Sequence, residues 1–292
     1  MNTQDIFIGI DGGASKSNIR IEDLSGRVLG ESISGPANIS VSAEQAWQSI
    51  TTGLQQILKP LAIDLNDNQY RFHAGMGLAG CEVPAARESY LNAPHPFTTL
   101  QLVSDAHTAC LGAHAGKEGS IILVGTGVVG YQIRAGETKK IAGWGFPHDD
   151  TGGGAWLGLE AVRLTLRWLD KRSSATTMLQ AVYASFANDM NRLVSWANRA
   201  NSTEFAKLAP LVVRYAQEND PSAVFLLVKA GAAIDEIGAV LELDLPCALA
   251  GGLATFLEPY LSADLRGRLV PCQADAAEGA ILMVRESVGQ ES

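Results

Sequence analysis

The feature that most limits what this chain can fold into is a pattern that occurs twice. Three short β-type runs, Ile6 to Ile10, Asn18 to Glu22 and Val28 to Ser34, open the sequence, the last two parted by the turn-forming Leu24-Ser25-Gly26-Arg27. A helical pattern follows from Ala43 to Leu58, with Trp47, Ile50, Leu54 and Ile57 on one face and Pro60 as its stop. A strand (Phe72 to Met76), a helix (Pro84 to Leu91), a strand (Leu100 to Val103) and a helix (Ala106 to Ala115) complete the order βββαβαβα. After a break at Gly116-Lys117-Glu118-Gly119 three β-type runs recur: Ser120 to Val124, Val128 to Ile133 and Lys139 to Ala142. Trp156 to Glu242 is mostly helical in pattern, while Pro246 to Ala250 and Leu269 to Val270 read as strands, each followed by a helix. The second half is therefore the first with a helical insertion. No residue-level identity links the halves, so the repeat is one of architecture. It predicts two α/β domains joined near Gly116, with a cleft between them where a small ligand binds.

Composition narrows the function classes. Apolar residues make up 47% and charged residues 18% of 292, which suits a packed core and excludes disorder. The 22 Lys and Arg against 31 Asp and Glu leave a net charge of -9, which opposes nonspecific binding to nucleic acid or an anionic membrane. Any phosphate must be gripped by local donors. Cys81, Cys110, Cys247 and Cys272 show no C-x-x-C spacing, so neither a disulfide framework nor a thiolate metal site is written here, and a reducing compartment is expected. No apolar run approaches the ~20 residues of a membrane span. Met1 to Asp5 lacks a basic leader, so the expected location is cytoplasmic.

Five segments have the residue types for chemistry. Asp11-Gly12-Gly13-Ala14-Ser15-Lys16-Ser17 lies in the turn between the first two runs. Its glycines let backbone amides approach an anion, Ser15 and Lys16 add donors, and Asp11 is suited to Mg²⁺ or its water. An ordinary glycine-rich hairpin turn is the other reading. The segment is no Walker A loop, because G-x-x-x-x-G-K-[ST] is absent and a strand follows where a helix is needed. Gly125-Thr126-Gly127-Val128-Val129-Gly130 matches G-x-G-x-x-G, but a strand again follows, so a dinucleotide fingerprint is rejected. Its place is the first hairpin of the second half, equivalent to that of the Asp11 loop, so the two hairpins suit the two sides of a phosphate clamp. Asp105 stands at a strand end before a helix, as an N-cap, a base for a substrate hydroxyl, or both. Gly143-Trp144-Gly145-Phe146-Pro147-His148-Asp149-Asp150-Thr151, running into Gly152 to Gly154, sets carboxylates and an aromatic among glycines, as sugar recognition requires, or forms a flexible acidic loop capping the helix near Trp156. Gly251-Gly252 after a strand suits a nucleotide's base and ribose, or only a tight strand-to-helix turn. His107, Cys110 and His114 share one helix face, but with no fourth ligand nearby they are read as packing residues rather than a metal site.

Taken together and in order, these segments resemble the actin-like ATPase superfamily of sugar kinases, acetate kinases and heat-shock chaperones. Asp11 to Ser17 is similar to its first phosphate loop, with Ala14 and serines in place of a glycine and threonines. Within it the chain most resembles the N-acetylglucosamine kinases and bacterial glucosamine kinases, through Gly35-Pro36-Ala37-Asn38, Ser104-Asp105-Ala106, Gly125-Thr126-Gly127, Gly143-Trp144-Gly145 with Asp150, Gly251-Gly252, and Glu278-Gly279-Ala280 in the closing helix. Thr151 replaces a usual Glu, and Val128-Val129 replace polar residues. The resemblance spans Phe7 to about Val288. It implies two ribonuclease-H-like domains, residues 1–116 and 117–292, each a mixed five-stranded sheet flanked by helices. The second carries a helical insertion, and the terminal helix packs back on the first.

The function so implied is ATP-dependent phosphorylation of the 6-hydroxyl of N-acetylglucosamine or glucosamine, by a homodimer. Asp105 would be the catalytic acid-base residue, and Asn38, Asp105, Trp144, Gly145 and Asp150 would hold the sugar. Gly12, Gly13, Ser15, Lys16, Thr126 and Gly127 would cradle the phosphates, Gly251 and Gly252 the adenosine, and Asp11 would bind Mg²⁺ through water. One rival is an activator ATPase of 2-hydroxyacyl-CoA dehydratases, which needs iron–sulfur cysteines that the scattered spacing does not offer. The other is a non-catalytic sugar sensor, for whose helix-turn-helix the ~5 residues before the first strand leave no room.

Overall fold

The computed structural model describes residues 3–290. In chain order the first half carries β1 (Gln4–Gly12), β2 (Ser17–Asp23), β3 (Val28–Ser34), α1 (Ala43–Leu58), β4 (Tyr70–Leu78), α2 (Pro84–Leu91), β5 (Thr99–Val103) and α3 (Asp105–Ala113). The second carries β6 (Gly119–Val124), β7 (Val128–Arg134), β8 (Glu137–Ala142), α4 (Gly154–Leu169), α5 (Thr177–Ala184), α6 (Met190–Ala197), α7 (Ser202–Ala206), α8 (Ala209–Gln217), α9 (Pro221–Val240), β9 (Cys247–Ala250), α10 (Ala254–Leu257), α11 (Ala263–Arg268), β10 (Leu269–Val270) and α12 (Ala276–Gln290). One five-stranded sheet has the order β3-β2-β1-β4-β5 and the other β10-β9-β6-β7-β8. Renumbered from the start of each half these are the same sheet, which is the expected α/β class and the expected architectural repeat.

The chain divides into two compact units. The first comprises Met1–Gly119, Ile133–Gly136 and Pro271–Ser292, the second Ser120–Gln132 and Glu137–Val270. In the first unit β1 runs antiparallel to β2 and parallel to β4, and β4 parallel to β5, so the sheet is mixed. Ile6, Phe7, Ile8 and Ile10 of β1 are all buried, as a strand covered on both faces must be. On one face lies α1, capped by the Ser42 hydroxyl accepting from Gln45 N and presenting Ala46, Ile50, Leu54 and Ile57 to the core. Pro60 does not end the chain's helical course: a single 3₁₀ turn, Lys59–Leu61, follows, with Pro60 early in it where its missing N–H is not needed. On the other face α12 lies against β1 and β4. It gets close because Gly9 and Gly75 are paired across these strands; a Cβ on either would stand 1.9 Å from the Ala277 carbonyl oxygen or 2.0 Å from that of Ala280.

In the second unit β9 runs parallel to β6 and to β10, and a large core of α4, α5, α8 and α9 covers the sheet. No described helix is long and apolar enough to cross a membrane.

Candidate functional site

The registers show where each sheet gathers its polar segments. Gly12 pairs with Leu78 and Gly77 with Val103, so Asp11, the Leu78-Ala79-Gly80 turn and Asp105 stand at one edge, the carboxyl ends of β1, β4 and β5. With strands about 4.8 Å apart, β1 and β5 lie roughly 10 Å from each other. Asn38 is fastened across the ends of β1 and β4: Ala37 N donates to the Gly13 carbonyl and Ile39 N to the Ala79 carbonyl. Ligands of open α/β sheets bind at this edge.

The Asp11 loop is a closed turn with an open tip. Gly13 N donates to the Lys16 carbonyl at 2.9 Å, which makes Gly13 a shaper of the turn, while Ala14, Ser15 and Lys16 are exposed. Gly12 has no room for a side chain, since a Cβ would meet Leu78 and Ala37. Asp11 Oδ2 accepts from Asn18 Nδ2 at 3.0 Å. Burial pushes its carboxyl above the usual range; the Asn18 bond offsets this in part and the charge of Asp275, before α12, adds to it. Neither Asn18 nor Asp275 carries a signal that sequence reasoning used.

Asp105 is not the N-cap. Ser104 is, its hydroxyl accepting from His107 N, and Asp105 is the first helical residue, with Oδ1 accepting from Ala106 N at 2.9 Å. Ser-Asp offers two good caps in succession, and the extended Ser104 backbone (φ −70°, ψ 153°) takes the role. Ser104→Ala should lower stability by about 1 kcal/mol in chemical denaturation, the ordinary worth of a cap. Arg87 Nη1, donating to the Leu102 carbonyl at 2.6 Å, steadies the strand just ahead. Asn38 forms a small turn of its own, Oδ1 accepting from both the backbone N and the hydroxyl of Ser40, so its amide NH₂ is the group to offer a ligand. His107, Cys110 and His114 sit within the packed body of α3: Cys110 Sγ contacts the Gly119 carbonyl, burial lowers the His107 pKa, and His114 packs beneath Gly119.

At the second sheet Leu123 pairs with Ala250, so Gly125-Thr126-Gly127 and Gly251-Gly252 lie side by side at the carboxyl edge. Thr126 is exposed, and nothing stands within 4 Å of a Cβ at Gly125 or Gly252. Gly251 has φ +101° and abuts the Val124 carbonyl, a geometry that favours glycine. The acidic segment does not cap α4. Gly153 precedes that helix, and the amides of Gly154 and Ala155 donate to the carbonyls of Gly125 and Thr126, tying the helix to the loop.

Asp150 is buried with φ +66°, and its Oδ1 accepts from Val128 N at 3.1 Å beside Gly127. Asp149 Oδ2 accepts from Trp144 N, and the Gly145 carbonyl accepts from the amides of His148 and Asp149. The Trp144 N–H and Gly145 carbonyl are thus spent within the loop, and the Trp144 ring, 77% exposed, lies under Lys140.

Burial raises the Asp150 pKa from 3.8, partly offset by the Val128 amide. A carboxyl raised in the folded state holds its proton more tightly there, so it favours folding at low pH and opposes it as pH climbs from 3.8 through the folded value. Asp150→Asn should therefore keep or raise the melting temperature at pH 7 and remove the part of its decline that sets in as pH rises above 3.8, which thermal melts over a series of pH values would show. If the side chain also holds substrate, the same variant weakens sugar binding.

Two mixed sheets of this order, each presenting a glycine hairpin and a second polar segment at its carboxyl edge, define an actin-like ATPase fold of the sugar-kinase kind. The chain belongs to the BadF/BadG/BcrA/BcrD ATPase family, whose model matches residues 8–283. It is 32% identical to a glucosamine kinase of Vibrio cholerae over 94% of both chains. It is 27% identical to an N-acetyl-D-glucosamine kinase of Dictyostelium discoideum over 82% of this chain and 80% of that one. Among solved structures, a candidate N-acetylglucosamine kinase of Chromobacterium violaceum superposes with a TM-score of 0.91 at 32% identity, covering 97% of this chain and 100% of that one.

Proposed function

We propose that this ATPase-family chain transfers the γ-phosphoryl group of ATP to the 6-hydroxyl of glucosamine or N-acetylglucosamine. The observation that carries the reading is that a glycine turn after Asp11, the side-chain amide of Asn38 and the Asp105 carboxylate gather at the carboxyl edge of the parallel strands β1, β4 and β5 of one unit. Kinship to a glucosamine kinase over nearly the whole chain supports it.

In this reading Asp105 orients the 6-hydroxyl and takes its proton, and Asn38 donates to a ring hydroxyl. The exposed turn at Ser15 and Lys16, shaped by Gly12 and Gly13, and Thr126 with Gly127 hold the phosphates. Gly251 and Gly252 leave room for the adenosine. Asp150 holds the loop at Gly127 and Val128, with Trp144 and Gly145 completing the sugar segment. Mg²⁺ fits the first turn: a hard cation takes carboxylate oxygen and water, and Asp11 Oδ1 accepts no hydrogen bond from any described residue. When bound there it would neutralise phosphate charge. Because transfer passes through a loose transition state, alignment and charge stabilisation supply most of the rate.

An iron–sulfur activator is less well supported. Cys81, Cys110 and Cys247 are buried, with the Cys81 thiol pushed up to about 11 by burial, and only Cys272 is exposed, whereas a bridging cluster needs accessible thiolates.

ADP release should be followed with glucosamine, N-acetylglucosamine, glucose and N-acetylmannosamine at equal concentration. One of the first two should exceed glucose in kcat/KM by about tenfold or more. Release that no sugar raises above ATP alone would remove the proposal.

A further inference from the structure

Asp11 and Asn18 stand directly opposite each other on the antiparallel strands β1 and β2. Opposite residues project from one face of a sheet with Cβ atoms about 5 Å apart, which is why Asn18 Nδ2 reaches Asp11 Oδ2 at 3.0 Å. The donor is well anchored. β2 is an inner strand, with Asn18 also opposite Ile33 of β3, and the neighbouring Ser17 is buried with its hydroxyl donating to the Gly35 carbonyl at 2.9 Å. A carboxylate turns easily about its last bond, a broad and roughly two-fold rotation that exchanges its oxygens. One fixed donor on Oδ2 removes that freedom and leaves Oδ1, which accepts from no described residue, as the oxygen open to a ligand.

The chemistry of the donor matters as much as its place. An arginine or lysine at position 18 would pair with Asp11 and compete with a bound cation, whereas a neutral amide orients the carboxylate and leaves its charge unspent. Arg20, two residues further along β2 and on the same face, could cancel that charge. It is held off. Arg20 Nε donates to Glu22 at 2.8 Å and Nη1 to Glu31 at 2.9 Å, and Nη2 lies 3.5 Å from Glu278 of α12, so three carboxylates engage all its nitrogens. Two other charges face Asp11: Lys16, on the exposed tip of the turn, attracts it, and Asp275, before α12, opposes it. A half-buried carboxyl with a neutral partner on one oxygen and none on the other suits a hard cation or its water.

We infer that Asn18 is a positioning residue: it occupies Asp11 Oδ2 and so presents Oδ1 to a hydrated divalent cation on the phosphates of a bound nucleotide. The inference rests on the part given to Asp11 in the kinase reading, and its test uses neither sugar nor turnover, so the two can fail separately.

Calorimetric titration of the full chain with the β,γ-imido analogue of ATP, with and without Mn²⁺, supplies the test. Mn²⁺ should tighten binding of the analogue by wild type about tenfold or more. Asn18→Leu, similar in size but without a donor, should abolish most of that gain while metal-free affinity moves less than about threefold, and Asn18→Gln, which keeps an amide donor, should recover most of it. In an Asp11→Asn background, Asn18→Leu should change the remaining gain less than about threefold, since a residue that acts through Asp11 has nothing left to orient. Melting temperatures confirm that each variant is folded. If Asn18→Leu keeps the full gain, weakens metal-free and metal-bound analogue alike, or still shrinks the gain about tenfold without Asp11, the inference is overturned and the kinase reading stands. A wild type that binds the analogue no tighter with Mn²⁺ removes Asp11 as a cation site, and the inference with it.

Discussion

Asp105→Asn is expected to lower kcat by about 100-fold or more while the KM for sugar moves less than about threefold. The prediction is sharp because of where Asp105 stands. Its Oδ1 accepts from Ala106 N, and an asparagine oxygen accepts the same bond, so the start of α3 is preserved. The Ser104 cap does not involve the Asp105 side chain at all. What the substitution removes is the negative charge and the capacity to take a proton, both needed only as the hydroxyl attacks. Initial rates over a range of sugar concentrations, with the melting temperature as a folding control, check it. Turnover near wild type would show that Asp105 is a helix residue without a catalytic part.

The second large effect falls on stability. Gly75→Val should destabilise the first unit by about 3 kcal/mol or more, lowering its melting temperature by roughly 10 °C. A Cβ at Gly75 meets the Ala280 carbonyl at 2.0 Å, and a backbone atom cannot move aside as a side-chain tip can. Either α12 lifts off β1 and β4 or the sheet bends. Lifting α12 also displaces Asp275, whose charge reaches Asp11, so the phosphate turn changes along with the core. Gly267→Ala in α11 is the contrast. Nothing lies within 4 Å of that position and the backbone is helical, so alanine there should be neutral or slightly stabilising. Calorimetry on both variants distinguishes the two cases, and a wild-type transition for Gly75→Val would mean that the helix does not seat as described.

Local signals made much of the fold legible. α1 and α2 fall on their expected residues because each carries its own start, the Ser42 cap and Pro84 at the first turn, and because apolar spacing marks the face that α1 buries. β3 also matches to the residue, bounded by the Gly26 turn and by Gly35. The repeat was visible because three β runs in succession are short and separated by glycine or polar turns.

The candidate site was legible as residue types but not as wiring. Asp150 reaches Val128 N across 22 residues, and the first amides of α4 are satisfied by carbonyls of a loop nearly 30 residues earlier. Such bonds depend on how strands and helices meet, and no short window of sequence contains them. The same holds for Asp275, which approaches Asp11 only because α12 returns to the sheet of β1. Ser104 and Asp105 failed differently. Both are good caps, and the choice between them was decided by one backbone angle.

In the proposed reaction a carbohydrate hydroxyl, and not water or a protein group, receives the phosphoryl group. Proton-coupled phosphorus NMR of the products formed from ATP, Mg²⁺ and either hexosamine tests it most directly. The expected result is a new phosphomonoester signal coupled to the two protons on carbon 6 of the sugar. Inorganic phosphate alone, or a phosphate coupled to the anomeric proton, would contradict it.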